Sequence, residues 1–380
     1  MKIFDRVYMD NGATSFPKAP NVAETMASYI LNNGSNVSRG AYKDSMDASR
    51  VVYETRELLC ELFNFDHPDH VVFTKNITES LNQILKGLLT ENDHVIISSM
   101  EHNAVMRPLH SIGCRLTRVQ ADKAGFVKPE KIEEAITDQT KAIVLIHGSN
   151  VCGSINDIES IGKIARDHQL LFVLDAAQTA GVIELDMKKH HIDALCFTGH
   201  KSLLGPNGIG GFLVNPSLVK EMKPLIEGGT GSASEQETQP EHMPDKYESG
   251  TPNVVGIYGL NTSLKYIMDE GIKTIHEKEM ALVEYFFDHF DRKDVRIVGH
   301  KGLENRTAVI SLDFLTKDNA LIAFDLERKY HIATRVGMHC APSAHKTLNT
   351  FPNGTVRVSF SCFNTFEEVQ YLIDALNNLL

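Results

Sequence analysis

Short, wholly apolar runs alternate with amphipathic helical patterns through the first two thirds of the chain, and this alternation restricts the fold most. Runs such as HVVF (70–73), HVIISS (94–99) and LLFVLDAAQ (170–178) precede loops, and SLNQILKGLL (80–89) carries apolar residues at helical spacing. Apolar strands that alternate with amphipathic helices are typical of a parallel sheet covered on both faces. Because right-handed crossovers bring the carboxyl ends of such strands to one edge, we expect ligands to bind at that edge.

The pattern changes after about residue 260. The runs TAVISLDF (307–314) and GTVRVSFS (354–361) alternate partly between apolar and polar residues, as half-buried antiparallel strands do. The last segment begins with a capping-box pattern at Thr365 and Glu368 and continues as an amphipathic helix. The sequence therefore predicts an α/β fold with a mostly parallel sheet in a large domain and a smaller α+β domain. The predicted large domain is 15–258, and the predicted small domain is 1–14 together with 259–380.

The charge and the hydropathy pattern exclude several classes of protein. The 380 residues include 38 Lys and Arg against 49 Asp and Glu, a net charge of −11, whereas a nucleic-acid surface needs a basic face. The longest apolar runs are far shorter than the roughly 20 residues that span a bilayer, and the start of the chain lacks the apolar stretch of a signal peptide. Neither HExxH nor paired-Cys spacings occur, so we expect no metal site. We expect a cytoplasmic protein with free thiols that binds neither a membrane nor a nucleic acid.

A lysine and an aspartate follow two successive predicted strands. Lys201 lies just beyond the apolar run at 193–198, and Asp175 ends the run LLFVL. Taken singly, the lysine is typical of a solvated surface charge and the aspartate of a helix N-cap. Taken together, they suit pyridoxal 5′-phosphate (PLP), which needs a lysine for covalent attachment and an acid on its pyridinium nitrogen. The pair therefore predicts a PLP site at the sheet edge.

A PLP site also needs groups that hold the phosphate and cover the ring. Thr78 opens the helix after the run at 70–73, where free N–H groups and the helix dipole favour an anion. Thr198 and His200 stand beside Lys201 and add hydrogen-bond donors, and His102 follows another strand, where it is a candidate for stacking on the ring. Each has an ordinary alternative, a cap for Thr78 and a solvated side chain for His102.

Several blocks, in order along almost the whole chain, are similar to those of one family. They are YMDNGATSFPKAP (8–20), NVSRGAY (36–42), TESLN (78–82), EHNA (101–104), SNVCGSIND (149–157), DAAQTAG (175–181), TGHKSLLGPNGIG (198–210) and ESGTPN (248–253). Each block alone is weakly specific, but the ordered set is highly specific. The chain resembles the class V aminotransferase group of fold-type I PLP enzymes and, within it, the cysteine desulfurase and selenocysteine lyase family.

This resemblance implies a role for each candidate residue. In the cofactor site, Lys201 would bind PLP covalently and move the Cα proton. Asp175 would pair with the pyridinium nitrogen, Gln178 with the phenolic oxygen, and His102 would stack on the ring. The phosphate would be held by Thr78, Thr198 and His200. In the substrate site, Asn150 and Arg357 would hold the α-carboxylate, with Arg357 as a bidentate clamp and Arg335 as a further candidate. Members of the family are dimers with shared sites, so Thr251 would reach the cofactor phosphate of a partner subunit.

The sulfur-carrying residue is expected in the segment ATRVGMHCAPSAHKT (333–347). This segment resembles the loop Arg-x-Gly-His-His-Cys-Ala of the family's second group, with Met338 in place of the first His. Cys340 is therefore the candidate nucleophile, and the neighbouring His339 and Arg335 are candidates for lowering the pKa of its thiol. The alternative is a buried, inert thiol, which we expect for the other five cysteines.

The sequence thus favours a PLP-dependent cysteine desulfurase that converts L-cysteine to L-alanine, with sulfane sulfur carried on Cys340 to a protein acceptor. L-selenocysteine is an alternative substrate, because selenium is the better leaving group. The main alternative is another class V PLP enzyme, a C–S lyase, an epimerase or an aminotransferase, in which Cys340 is dispensable. A non-catalytic binding protein on the same fold is a further alternative, although it would not need Lys201, Asp175, His102 and Arg357 together.

Overall fold

The computed structural model describes residues 4–37 and 40–380. Its strands are β1 (Val7–Tyr8), β2 (Val71–Thr74), β3 (His94–Ser98), β4 (Arg115–Val119), β5 (Thr140–Ile146), β6 (Leu171–Asp175), β7 (Ala194–Thr198), β8 (Gly210–Val214), β9 (Val295–Val298), β10 (Val309–Phe314), β11 (Ile332–Ala333), β12 (Arg335–Gly337) and β13 (Thr355–Ser359). Its α-helices are α1 (Val22–Ser28), α2 (Lys43–Leu62), α3 (Ile77–Leu88), α4 (Asn103–Ile112), α5 (Pro129–Glu134), α6 (Ile158–Asp167), α7 (Pro216–Val219), α8 (Val254–Glu270), α9 (Ile272–His289), α10 (Asn319–Tyr330), α11 (Pro342–Thr347) and α12 (Phe366–Leu379). A π-helical turn (Tyr29–Asn33) and a 3₁₀ turn (Pro68–His70) complete the set.

The larger sheet has seven strands in the order β2-β8-β7-β6-β5-β3-β4. All neighbouring pairs are parallel except those of β8, which runs antiparallel to both β2 and β7. The predicted mostly parallel sheet is therefore confirmed. In β8 a Cβ on Gly211 would lie 2.5 Å from the carbonyl oxygen of Val72, so glycine lets this strand approach its neighbour closely.

The apolar runs fill cores on both faces of this sheet. In β3, Ile96 packs in the core on one face, whereas Val95 and Ile97 pack in the core on the other. A strand alternates its side chains between faces, so a strand buried on both faces must be apolar throughout. This requirement explains why the sequence shows continuous apolar runs here and not an alternating pattern.

The smaller sheet is antiparallel, in the order β12-β13-β10-β9, and a parallel pair of β1 and β11 lies apart from it. The strands predicted at 307–314 and 354–361 correspond to β10 and β13, and Thr365 caps α12 through the predicted capping box with Glu368. The predicted boundary between residues 258 and 259 falls inside α8, and residues 1–3 lie outside the described residues, so the domain limits stay a prediction. Within the described ranges, no helix has the length and apolar character needed to cross a membrane.

Candidate active site

The carboxyl ends of β6 and β7 place Asp175 and Lys201 near each other. Asp175 is the last residue of β6, is 2% exposed, and accepts a hydrogen bond from the N–H of Ala177 at 3.0 Å. Burial raises the pKa of this carboxyl group, while the N–H of Ala177 and the positive charge of Lys201 act in the opposite direction. Asp175 thus caps a turn, and not a helix as the ordinary alternative had it, and it also faces a cationic neighbour.

Lys201 lies three residues beyond the end of β7 and is half-buried. Loss of hydration lowers the pKa of its amine to about 8, although the charge of Asp175 opposes this shift. The charge of Arg357 lowers the pKa further. A lysine whose pKa lies near neutrality is partly deprotonated, and the neutral amine is the form that attacks an aldehyde.

Two buried polar atoms beside Lys201 have no hydrogen-bond partner among the described residues. They are Oγ1 of Thr198 and Nδ1 of His200. Burial, and then the charges of Lys201 and Lys18, lower the pKa of His200 to about 4, so its ring is neutral at physiological pH. Unpaired buried polar atoms are costly, so these two atoms fit a ligand that offers complementary oxygens.

The N-terminus of α3 adds further donors to this region. Asn76 caps the helix by accepting a hydrogen bond from the N–H of Glu79, and Thr78 lies exposed in the first turn. The first N–H groups of a helix have no partner within the helix, and its dipole favours an anion. The residues present thus fit the phosphate of PLP. We call Asp175, Thr198, His200, Lys201 and the α3 N-terminus the cofactor cradle.

His102 has the properties of a ring that stacks on a cofactor. It is the N-cap of α4, and its Nδ1 accepts a hydrogen bond from the N–H of Ala104 at 3.0 Å. Burial, and then the charges of Lys201 and Arg357, lower the pKa of His102 to about 4. Its imidazole is therefore neutral and carries its proton on Nε2.

Two further residues, Gln178 and Thr251, are candidates for binding the cofactor. Gln178 is buried, and its Nε2 donates to the carbonyl oxygen of Gly12 at 2.9 Å, so its contact with the phenolic oxygen stays a prediction. Thr251 is exposed in a cavity that Thr74 and Gly208 also line. Its contact with a partner subunit also stays a prediction.

The candidate carboxylate clamp is already ordered by protein contacts. Arg357 is 2% exposed, and its Nη2 donates to Oδ1 of Asp10 at 2.8 Å while its Nη1 donates to the carbonyl oxygen of Asn150 at 3.0 Å. Nε of Arg357 and Oδ1 of Asn150 are buried without a partner. Arg335 is half exposed and lies 3.6 Å from Oδ2 of the same Asp10. The structure therefore brings Arg357 and Arg335 together at one carboxylate, and Asn150 joins them through its contact with Arg357.

Asp10 was not among the site residues predicted from the sequence, although it stands in the block at 8–20. A buried arginine needs a counter-charge because an unpaired charge in the interior is very costly. That requirement could have predicted that some carboxylate lies beside Arg357. Only the fold shows that this carboxylate is Asp10, near the beginning of the chain.

Glu101 was also not predicted as a site residue. It is 0% exposed, and its Oε1 accepts hydrogen bonds from the N–H groups of Ile146 and Ser98 at 3.1 and 3.3 Å, while its Oε2 has no partner. Burial, reinforced by the negative charge of Asp175, raises the pKa of Glu101 to about 8. Glu101 therefore keeps its proton at neutral pH.

Cys340 lies in a tight turn, residues 338–341, which we call the Cys340 turn. The N–H of Ala341 donates to the carbonyl oxygen of Met338 at 2.8 Å, and both His339 and Cys340 have positive φ, 46° and 58°. The carbonyl oxygen of Cys340 accepts a hydrogen bond from the N–H of Asn103 at 2.8 Å, at the start of α4. The turn is thereby attached next to His102, at the edge of the site.

Cys340 is the exposed member of the six cysteines, which all lie in described parts of the chain. Cys60, Cys114, Cys152 and Cys196 are buried, and Cys362 is half-buried. Burial raises the pKa of Cys60 and Cys362 to about 12. Exposure therefore distinguishes Cys340 from the others, although its role stays a prediction.

His339 does not supply the charge that its position next to Cys340 suggested. Burial, and then the positive charge of Arg357, lower the pKa of His339 to about 2, and its Nε2 lies 3.0 Å from Oγ1 of Thr355. The ring is neutral, so it cannot stabilise a Cys340 thiolate by charge. Of the two candidates for that task, Arg335 is the one that is charged at neutral pH.

Known proteins resemble this chain over nearly its whole length. Residues 7–372 match the family model for aminotransferase class-V. A probable cysteine desulfurase of Pyrococcus abyssi is 33% identical, over 98% of this chain and 94% of that protein, and one of Methanothermobacter thermautotrophicus is 33% identical, over 99% and 95%. The apo structure of cysteine desulfurase from Thermococcus onnurineus NA1 superimposes with a TM-score of 0.91 at 31% identity, over 100% of this chain and 98% of that one. The structural match confirms the predicted fold class.

Proposed function

The chain belongs to the class-V aminotransferase family and to its cysteine desulfurases, and we propose that it converts L-cysteine to L-alanine and carries the released sulfur on Cys340. Enzymes of this family depend on PLP, and the residues of the cofactor cradle fit that cofactor. When bound, PLP withdraws electrons from the substrate Cα and makes its proton acidic. The remaining chemistry belongs to the side chains of this chain.

The cradle residues have separate tasks. The carboxylate of Asp175 would pair with the pyridine nitrogen of bound PLP, and Thr198, His200 and the α3 N-terminus would hold its phosphate. The amine of Lys201, with its pKa near 8, takes and returns a proton at the substrate Cα. The neutral ring of His102 covers the cofactor ring and excludes water from that face.

The substrate enters between this cradle and the Cys340 turn. Arg357 binds the α-carboxylate through its unpaired Nε, assisted by Asn150, and Asp10 holds the guanidinium in place. These contacts set the distance between the substrate sulfur and Cys340. Positioning of this kind accounts for a large part of catalysis because the reaction becomes effectively intramolecular.

The sulfur step balances without an added reductant or oxidant. The Cys340 thiolate attacks the substrate Sγ, an S–S bond forms, and the Cβ–S bond breaks with its electron pair left on the carbon fragment. Protonation of that fragment gives L-alanine, and Cys340 carries a persulfide. An acceptor thiol then takes the outer sulfur and restores the Cys340 thiol.

The observation that carries this proposal is the position of Cys340. It is the exposed cysteine, and its backbone is hydrogen-bonded to the first residue of α4, directly after His102. A C–S lyase or an aminotransferase would use the same cradle but needs no thiol at this place.

The test is incubation of the PLP-loaded protein with L-cysteine, followed by assays for alanine and pyruvate and by mass spectrometry of the cysteines. We expect alanine and a mass increase of one sulfur on Cys340 in the wild type, and neither persulfide nor repeated turnover in C340A. C362A is the matched control, because Cys362 is half-buried outside the turn, and it should behave as wild type. Pyruvate with ammonia, or unchanged sulfur transfer in C340A, would refute the proposal.

We also propose that the protein works in the cytoplasm as a homodimer in which Thr251 contacts the partner's cofactor phosphate. The exposure of Thr251 and the cavity around it, which Thr74 and Lys75 also line, support this arrangement. Light scattering should then give twice the chain mass of 42.3 kDa, and T251A should weaken PLP retention. A monomer with full activity would contradict the shared site.

A further inference from the structure

A chain of buried hydrogen bonds connects His339 in the Cys340 turn to the segment that carries Asn150. Nε2 of His339 lies 3.0 Å from Oγ1 of Thr355, Oγ1 of Thr355 donates to Oγ of Ser311 at 2.9 Å, and Oγ of Ser311 donates to the carbonyl oxygen of Val151 at 2.6 Å. Thr355, Ser311 and Val151 are all 0% exposed, and His339 is 7% exposed. Water is therefore no competing partner along this chain, which we call the His339 relay.

The relay fixes which nitrogen of His339 carries the proton. A carbonyl oxygen can only accept, so the single proton of Ser311 points to Val151. The proton of Thr355 then points to Ser311, which leaves Oγ1 of Thr355 as an acceptor for His339. His339 must donate from Nε2, so its Nδ1, which is buried without a partner, has a free lone pair.

A second set of contacts ties the same turn to the carboxylate clamp. Nδ2 of Asn150 donates to the carbonyl oxygen of His339 at 2.7 Å, and the carbonyl oxygen of Asn150 accepts from Nη1 of Arg357 at 3.0 Å. His339 is therefore held through both its backbone and its ring by elements that also hold the substrate candidates. The two residues with positive φ in the turn need such support, because that backbone conformation is unfavourable for side chains other than glycine.

Glycines make the close packing of the turn against β13 possible. A Cβ on Gly354 would lie 2.3 Å from the backbone of Gly337, the residue just before the turn. Gly354 in turn precedes Thr355. The relay residues His339 and Thr355 thus follow shortly after this close approach of two backbones.

We propose that Thr355 and Ser311 are positioning residues for sulfur transfer: the His339 relay holds the imidazole in its neutral Nε2–H form and fixes the Cys340 turn relative to Asn150 and Arg357. This inference deepens the proposed function and rests on it for the sulfur step. In this proposal His339 is uncharged and supports the turn through its hydrogen bonds. The sequence had instead suggested a charged His339 that lowers the pKa of the Cys340 thiol.

The tautomer is tested directly by long-range ¹H–¹⁵N spectra of the ¹⁵N-histidine-labelled, PLP-loaded protein, with H339Q used to assign the signal. We expect His339 to be neutral with its proton on Nε2 from pH 8 down to pH 5. In T355V the hydroxyl acceptor is lost without a change in shape, and the His339 signals should shift. A protonated ring at pH 7, or a proton on Nδ1, would overturn the proposal.

The function of the relay is tested by the rate at which Cys340 reacts. We expect T355V to slow both alkylation of Cys340 by iodoacetamide and single-turnover persulfidation by L-cysteine by roughly tenfold, since one buried hydrogen bond is lost. T355S keeps the hydroxyl and should restore both rates, and S311A should lie between the two. T316V, at an exposed threonine, is the matched control.

Several outcomes separate a failed relay from a failed function. Circular dichroism and PLP absorbance show whether T355V is folded. If folded T355V reacts like wild type in both assays, the relay is refuted. If T355S is as slow as T355V, the methyl packing and not the hydroxyl matters, and the proposal is again refuted. If the wild type forms no persulfide at all, the proposed function fails, while the alkylation rates and the spectra still decide the relay.

Discussion

The cofactor cradle and the Cys340 turn, which we propose to face the same substrate, are held in different ways. Cradle residues such as Asp175, Thr198 and Lys201 lie at or just beyond the carboxyl ends of neighbouring strands in one buried sheet. The Cys340 turn follows β12, a short and largely exposed edge strand of the smaller sheet, and it is attached by hydrogen bonds to Asn103 and to Asn150, a residue 189 positions before His339. The first region is therefore fixed by the sheet itself, and the second by individual contacts.

This difference predicts how each region responds to substitution. Removing a cradle group leaves the sheet intact and should eliminate one chemical task. Removing a contact of the turn should leave every chemical group in place but change its position. A substitution in the cradle should therefore remove a chemical group from the reaction, whereas loss of a contact of the turn should displace groups that are still present.

The largest expected effect is that of K201A. Without the amine, no covalent link to the cofactor forms and no group moves the Cα proton, so turnover should fall by a factor of about 10³ or more. Visible absorbance after loading with PLP and the rate of alanine formation from L-cysteine measure this loss. Alkylation of Cys340 by iodoacetamide should stay within about twofold of wild type, because the turn has its own contacts.

K220A is the control for this experiment, because Lys220 is an exposed lysine outside the site. It should keep both the absorbance and the turnover of the wild type. If K201A slowed alkylation of Cys340 as strongly as it slows turnover, the two regions would be one cooperative unit and the comparison would fail.

Much of the cradle was predictable because its signals are local. A run such as LLFVL must be a buried strand, and a charged residue at its end must lie at the sheet edge. Asp175 and Lys201 follow from that argument, and the resemblance to a family supplied the roles of Thr198 and His200. The antiparallel direction of β8 was not predicted, since a short glycine-rich strand has the same local pattern in either direction.

The contacts of the turn were not predictable in the same way. Cys340 was identified by its sequence block, but the sequence does not show which residues Asp10, Thr355 and Ser311 contact. Each is a small polar residue in or beside a strand, where a solvated side chain is the ordinary expectation. Hydrogen bonds between residues far apart in sequence form only when the chain has folded, within one sheet for Thr355 and Ser311 and between two regions of the chain for Ser311 and Val151.

The second prediction concerns the protonated Glu101 under the cradle. The pKa of Glu101 is raised to about 8 in the folded protein, so the folded state holds one more proton than the unfolded state between about pH 5 and 8. Stability from this group is therefore present at low pH and is lost as the pH rises through that range, by about 1.4 kcal/mol per pH unit. E101Q cannot ionise and should lack this loss.

Urea unfolding of wild type and E101Q at pH 5.5 and 7.5 measures the effect. Between these two values the free energy of unfolding of E101Q should gain about 3 kcal/mol relative to wild type. E304Q, at an exposed glutamate, should follow the wild type at both values. Equal pH dependence in wild type and E101Q would mean that Glu101 is already ionised beside Asp175, and that the charge balance of the cradle is different.

The smallest expected effect is that of R335A, a substitution just before the turn. It tests whether Arg335 contacts the substrate directly or acts only as a nearby positive charge. Arg335 and Arg357 share Asp10, but the Arg335 pair is 3.6 Å long and half exposed, whereas the Arg357 pair is 2.8 Å long and buried. Exposed ion pairs contribute little, so R335A should lower the free energy of unfolding by no more than about 0.5 kcal/mol. The KM for L-cysteine should rise by about twofold with kcat unchanged, since a screened charge at this distance attracts the substrate carboxylate only weakly. R335K keeps the charge and should restore the KM, whereas a rise above about tenfold in R335A would show that Arg335 binds the substrate directly and is more than a nearby charge.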